Sequence, residues 1–269
     1  MAAIKQSTAP IENSVFVLGI SGPSSAGKTT LARLLARVFA PHVKLILHGD
    51  DFCRDIKLIP IINGYPDADG PSGVDFEKLK NTLNFVRSSG GKLPESFRGW
   101  YDDAFPDQEE KALDMVPPDT LQQLQDHVLQ QLGDAKYSIV IIEGFLMYHR
   151  SDILKTMDSK LFLRLSHEEA KRRRFARPSY EAAKEGEFWK TEDYFEQMVW
   201  RNYVEQHADL FEDGDVENKV NTAVSDERGI AVQEEIDVEP RETLRWAVDV
   251  VISSLRSRLG LRSQSETQT

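Results

Sequence analysis

Eight consecutive residues near the start of the chain, Gly22-Pro23-Ser24-Ser25-Ala26-Gly27-Lys28-Thr29, restrict its fold more than any other stretch. Two glycines five apart, followed by a lysine and a hydroxyl residue, fit the Walker A pattern. The flanks agree with it. Val15 to Ile20 is a short apolar run suited to a buried strand, and Thr29 to Phe39 has helical spacing, with Leu31, Leu34, Leu35 and Val38 on one face. Strand, glycine loop and helix thus stand in the order that an anion cradle needs. Glycines let backbone N–H groups curl around a phosphate, and a helix N-terminus adds about half a positive charge. Lys28 can reach the β- and γ-phosphates, and the Thr29 hydroxyl can ligate Mg²⁺. Gly22, Ser24, Ser25, Ala26, Gly27, Lys28, Thr29 and Thr30 are therefore the expected phosphate-binding residues.

Composition narrows the partners. With 269 residues, 40% of them hydrophobic, the chain can bury one large core. A net charge of −11 argues against general affinity for nucleic acid or an anionic membrane. The lone cysteine, Cys53, excludes an internal disulfide and is expected to be a small buried thiol. With no signal-like segment and no apolar run of about 18 residues, a cytoplasmic location is expected. Oligomeric state is left open.

Along the chain, residues 1–13 read as a tail, and 14–262 as a single domain. Val43 to Leu47 is a second strand, and Asp50-Asp51-Phe52 follows at its C-terminal end, the edge where open α/β sheets bind ligands. Residues 54–73 are irregular, and 74–87 turn helical. An aromatic, acidic stretch at 88–117 reads as an insertion, and Thr120 to Leu132 as a helix. Tyr137 to Ile142 is the most apolar strand, expected to be central and buried, with Glu143 at its end. A short helix at 152–157 and a strand at 160–165 precede Ser166, which opens a helix with a capping pattern three residues before Glu169. That helix runs into Lys171-Arg172-Arg173-Arg174 and Arg177. Thr191 to His207 is amphipathic, with Tyr194 on its apolar face. Acidic residues 211–239 read as a second insertion, a mobile surface loop that supplies an edge strand near 230–238. Arg241 to Leu259 forms a terminal helix, and 263–269 a tail. Alternating strands and helices predict a parallel sheet covered on both faces.

A phosphate loop alone is compatible with a kinase, a motor, a GTP switch or a binding module. Phosphoryl transfer to a hydroxyl needs an orienting carboxylate near the acceptor, a metal between the phosphates and positive charge on the transferred group. Asp50, Glu143 and the Arg172 to Arg177 cluster can meet those needs. A GTP switch is disfavoured, because Asn218-Lys219-Val220 is followed by Asn221 where guanine reading requires aspartate.

Gly19 to Ala32, Asp50-Asp51-Phe52, Ile141-Ile-Glu-Gly-Phe-Leu146 and Lys171-Arg-Arg-Arg174, in this order, resemble the nicotinamide riboside kinases of the uridine kinase and phosphoribulokinase group. The resemblance covers roughly residues 15–207 and implies an α/β, P-loop NTPase-type three-layer sandwich with a parallel central sheet and a helical lid at about 171–190. It also implies ATP and Mg²⁺ as cofactors and a small-molecule nucleoside as substrate. Asp50 would be the general base on the 5′-hydroxyl, Lys28 would hold the phosphates, and Thr29 with Glu143 would organise Mg²⁺. Asp69 and Arg174 would contact the ribose, while Arg173 and Arg177 would belong to the lid that closes on ATP.

One position departs from the family's pattern. Where the family commonly places an aromatic residue to stack on the base, this chain has Ala68. Tyr65, Tyr180, Phe188 or Trp189 could stack instead, and uridine or cytidine stands as an alternative acceptor. A nucleotide-binding regulatory protein without transfer activity is the alternative of another class.

Overall fold

Residues that alternate in direction along buried parallel strands build a core on each face of the sheet, and a third, smaller cluster gathers Leu165, Ala170, Tyr194, Phe195, Met198 and Val199. The structure, a computed structural model, describes residues 15–177 and 188–261. Strands β1 (Phe16–Ser21), β2 (Val43–His48), β5 (Ile139–Glu143), β6 (Ser159–Phe162) and β7 (Ala231–Val232) form a sheet in the order β2-β5-β1-β6-β7, each neighbouring pair parallel. The remaining two strands, β3 (Ile61–Ile62) and β4 (Tyr65–Pro66), make a separate antiparallel hairpin. Successive strand residues point to opposite faces. Phe16, Leu18, Ile20, Ile139 and Ile141 accordingly enter one core, and Val17, Val140 and Ile142 enter the other.

The first core lies under α1 (Lys28–Val38), α5 (Pro118–Leu132) and the C-terminal helix Pro240–Leu259. Leu244, Val248, Val251, Ile252 and Leu255 of that last helix are all buried, worth on the order of 10 kcal/mol gross before chain entropy is subtracted. The second core holds Leu79, Leu83 and Val86 of α2 (Phe76–Ser88), together with Tyr203 and Phe211. Helices on both faces of a parallel sheet give the expected three-layer α/β sandwich. Among the described residues, no helix is long and apolar enough to cross a membrane.

Several expectations shift in detail. The strand ending at Glu143 is fully buried, but β1 occupies the middle of the sheet, with β5 between it and β2. The stretch 88–117 contains two short helices, α3 (Tyr101–Ala104) and α4 (Gln108–Leu113), and its Ala112 and Val116 enter the first core beside α1. Helix α6 (Ser151–Leu154) is a single turn. The Thr191 to His207 region comprises Glu192–Tyr194, a π-helical stretch Phe195–Trp200, and Arg201–His207.

The acidic 211–239 segment is not a bare loop. It carries a helix, Thr222–Arg228, capped by the Asn221 side chain and ended by Gly229 at φ 62°, and Phe211, Val216 and Ile230 are buried. Arg164, itself buried, holds the segment: its guanidinium donates to the carbonyls of Glu234, Val216 and Asn218 and lies 4.9 Å from the Phe211 ring centre. Burying a cation requires such a set of acceptors. Cys53 is exposed rather than buried, because Phe52 takes the core position and its neighbour turns outward. The proposed tails at 1–13 and 263–269 lie outside the described residues.

Candidate active site

The phosphate loop occupies the C-terminal end of β1. Gly27 has φ 84°, a left-handed conformation that glycine adopts freely, and this turn sets the start of α1. Lys28 is buried and donates to the carbonyls of Gly22 and Pro23, at 3.1 and 2.7 Å. Burial pulls its amine down to about 8, with the charge of Glu143 acting in the opposite direction. The Ser25 hydroxyl, also buried, has no partner among the described residues. A polar cradle with an orphaned hydroxyl and a desolvated amine fits an anion.

Next to the loop, β2 and β5 bring their ends together. A Cβ on Gly49 would lie 2.9 Å from both the Glu143 carbonyl and the Gly144 Cα, so only glycine permits this approach. Asp50 consequently faces the same cleft as Glu143 and Lys28. Burial pushes the Asp50 carboxyl up to about 6, helped by the charge of Glu143 and opposed by Lys28 and Arg177. Glu143 accepts the Thr29 hydroxyl at 3.0 Å. Among the described residues no group of three or more His, Cys, Asp or Glu side chains could hold a metal ion. One hydroxyl and one carboxylate, completed by phosphates and water, suit Mg²⁺, which seldom takes an all-protein cage.

Across the cleft, the loop after β4 carries two aspartates with different surroundings. Asp67 is buried and tied off by Asn202 at 2.8 Å and by Ser72. Asp69 accepts the Tyr194 hydroxyl at 2.7 Å and lies 3.9 Å from Arg174, which also donates to Ser24 of the phosphate loop at 2.9 Å. Arg174 therefore joins the two sides of the cleft. Arg177 is within electrostatic reach of Lys28 and Asp50. Arg173 is not brought to the loop: it pairs with Glu169 at 2.5 Å on the surface of α7 (His167–Phe175), whose N-terminus is capped by Ser166. Thr30 follows Thr29 in the first turn of α1.

Of the candidate stacking residues, Tyr180 lies outside the described residues, as does the 178–187 part of the expected lid. Tyr65, Phe188 and Trp189 instead cluster around Tyr194: Phe188 lies 4.8 Å from Tyr194 and 4.5 Å from Trp189, and Tyr65 is 5.5 Å from Tyr194. The Tyr194 hydroxyl, His48 and the Trp100 to Asp102 segment were not singled out from the sequence. His48 stands two residues before Asp50 and Tyr194 on a recognisable apolar face, but nothing local reveals their polar partners.

No family model matches the chain. Individual relatives do. Nicotinamide riboside kinase of Schizosaccharomyces pombe is 30% identical over 245 residues, covering 89% of this chain and 97% of that protein. The enzyme of the same name from Saccharomyces cerevisiae is 31% identical over 207 residues, covering 76% of this chain and 82% of that protein. Nicotinamide riboside kinase 1 of Homo sapiens is 24% identical, covering 72% and 78%. The first two similarities each span more than three quarters of this chain and of the relative, and by them this chain belongs to the nicotinamide riboside kinase family.

Proposed function

We propose that this chain transfers the γ-phosphoryl group of ATP to the 5′-hydroxyl of nicotinamide riboside, forming the mononucleotide for NAD biosynthesis in the cytoplasm. The observation that carries the reading is the meeting of Asp50 and Glu143 at neighbouring strand ends beside Lys28, in a chain of this family. Asp50 takes the proton of the 5′-hydroxyl as its oxygen bonds to the γ-phosphorus, and the bond to the bridging oxygen breaks to release ADP. A carboxyl raised to about 6 is still ionised at neutral pH and is a stronger base than an ordinary aspartate. Lys28 and Arg177 balance negative charge on the phosphates, and Arg173 could join them only by leaving Glu169. Asp69 accepts the ribose hydroxyls, with Arg174 as a second contact.

The residues present fit a divalent cation: Thr29 and Glu143 would hold Mg²⁺, which when bound neutralises charge on the phosphates. Residues 14–262 are read as one kinase domain, because both cores lean on a single sheet. A pyrimidine nucleoside is the second reading, favoured by Ala68, with the Tyr65, Phe188, Trp189 and Tyr194 cluster as the aromatic surface beside Asp69. Incubation with ATP, Mg²⁺ and a nucleoside panel, monitored by ADP release, tests both. Nicotinamide riboside is expected to give the highest kcat/KM. Faster turnover of uridine or cytidine selects the second reading, and no ADP with any nucleoside removes both in favour of a regulatory protein.

A further inference from the structure

The stretch 97–105 crosses the end of the sheet and is tied to three of the four residues between His48 and Asp51. The backbone N–H groups of Trp100 and Tyr101 donate to Asp51 at 2.7 and 3.0 Å, and the Trp100 indole donates to the Asp50 carbonyl at 3.1 Å. The Tyr101 ring stacks on His48 with centroids 4.4 Å apart. Next along the chain, Asp102 forms an ion pair with Arg33 of α1 and places a carboxylate oxygen 3.1 Å from His48 Nε2. The other ring nitrogen, Nδ1, is 2.8 Å from Glu143 Oε1.

A buried structural histidine needs one partner for its N–H. Here Nδ1 of a residue that is 1% exposed hydrogen-bonds the carboxylate at the reacting corner, and Nε2, which makes no hydrogen bond among the described residues, lies within ion-pair distance of a second carboxylate, that of Asp102. Glu143 Oε1 receives both His48 and Thr29, while among the described residues no hydrogen bond reaches Oε2. Two donors on one oxygen orient the carboxylate and leave the second oxygen for another ligand.

We propose that His48 is a positioning residue for Glu143, held in turn by Asp102 and Tyr101, so that residues 97–105 are a working part of the cation site. The inference rests on the reading of Glu143 as a cation ligand. Carboxylate, imidazole and ligand in series is an arrangement by which outer partners fix inner ligands, and removing such a partner typically costs about 10- to 100-fold in metal affinity.

The test is Mn²⁺ binding to the full chain saturated with a non-hydrolysable ATP analogue, followed by electron paramagnetic resonance, together with metal-free binding of the analogue. His48→Ala is expected to weaken Mn²⁺ about tenfold or more and leave metal-free nucleotide affinity unchanged. His48→Asn, whose amide nitrogen can stand where Nδ1 stood, should recover most of that loss. Asp102→Asn, on a side chain 61% exposed, should weaken Mn²⁺ about threefold without harming the fold. Folded His48→Ala with Mn²⁺ affinity within twofold of wild type overturns the proposal, and if that variant does not fold, an unchanged Asp102→Asn overturns it. Glu143→Gln separates the two levels. If it too leaves Mn²⁺ binding intact, the cation assignment of Glu143 fails along with the brace; if it alone weakens binding, only the brace fails.

Discussion

The two loops that face each other across the cleft are built on different principles. The phosphate loop, residues 22–29, is continuous in sequence, and its cradle is mostly backbone, set by Gly27 at φ 84° and the start of α1. The loop opposite, residues 65–73, owes its shape to distant side chains. Asn202 reaches back 135 positions to Asp67, and Tyr194 reaches back 125 positions to Asp69. A backbone cradle is indifferent to what the rest of the chain does, whereas a loop held by remote side chains can be retuned by single changes.

Three substitutions test the comparison. The largest expected effect is at the cradle's edge: Asp50→Ala should lower kcat by at least about 100-fold with ATP affinity retained, as for loss of a general base. In the wild type, kcat/KM should fall about tenfold per pH unit below about pH 6, since only the ionised carboxylate accepts a proton, and this limb should vanish in the variant. Near-normal turnover of Asp50→Ala would break the assignment.

Across the cleft, Asp69→Ala should raise the nucleoside KM about 10- to 100-fold, the worth of hydrogen bonds to a charged acceptor, with kcat changed much less. An unaltered KM in steady-state assays would put the ribose contact elsewhere. The smallest catalytic effect is expected at Asp67, whose partners are structural. Asp67→Ala strands the buried Asn202 amide and should cost about 1–3 kcal/mol of stability, read by denaturant unfolding, while the nucleoside KM of the folded variant stays within a fewfold of wild type. A KM increase matching that of Asp69→Ala would erase the distinction between the two aspartates.

Much of the architecture was legible because its signals are local. The apolar runs at Val15 to Ile20 and Tyr137 to Ile142 contain the buried strands Phe16–Ser21 and Ile139–Glu143, and the capping pattern at Ser166 does open a helix. The helix Thr222–Arg228 is not legible in the sequence although Asn221 and Gly229 bracket it, because the acidic composition around it masks a two-turn element. Cys53 departs from expectation for a related reason: the facing of a residue after a strand depends on which neighbour the core takes, and the core takes Phe52.

By itself, the sequence determined the glycine loop between β1 and α1, the α/β alternation and the strand-end positions of Asp50 and Glu143. These follow from short-range pattern, since backbone geometry at a glycine loop and the two-residue period of a strand need no distant information. Only the tertiary structure decided that Asp67 is tied off while Asp69 faces Arg174, that Arg173 pairs with Glu169, and that the stretch at 97–105 closes on His48. Each of those outcomes is a competition among polar groups for partners far away in the chain. Such a competition is resolved by which groups burial brings within about 3 Å of one another.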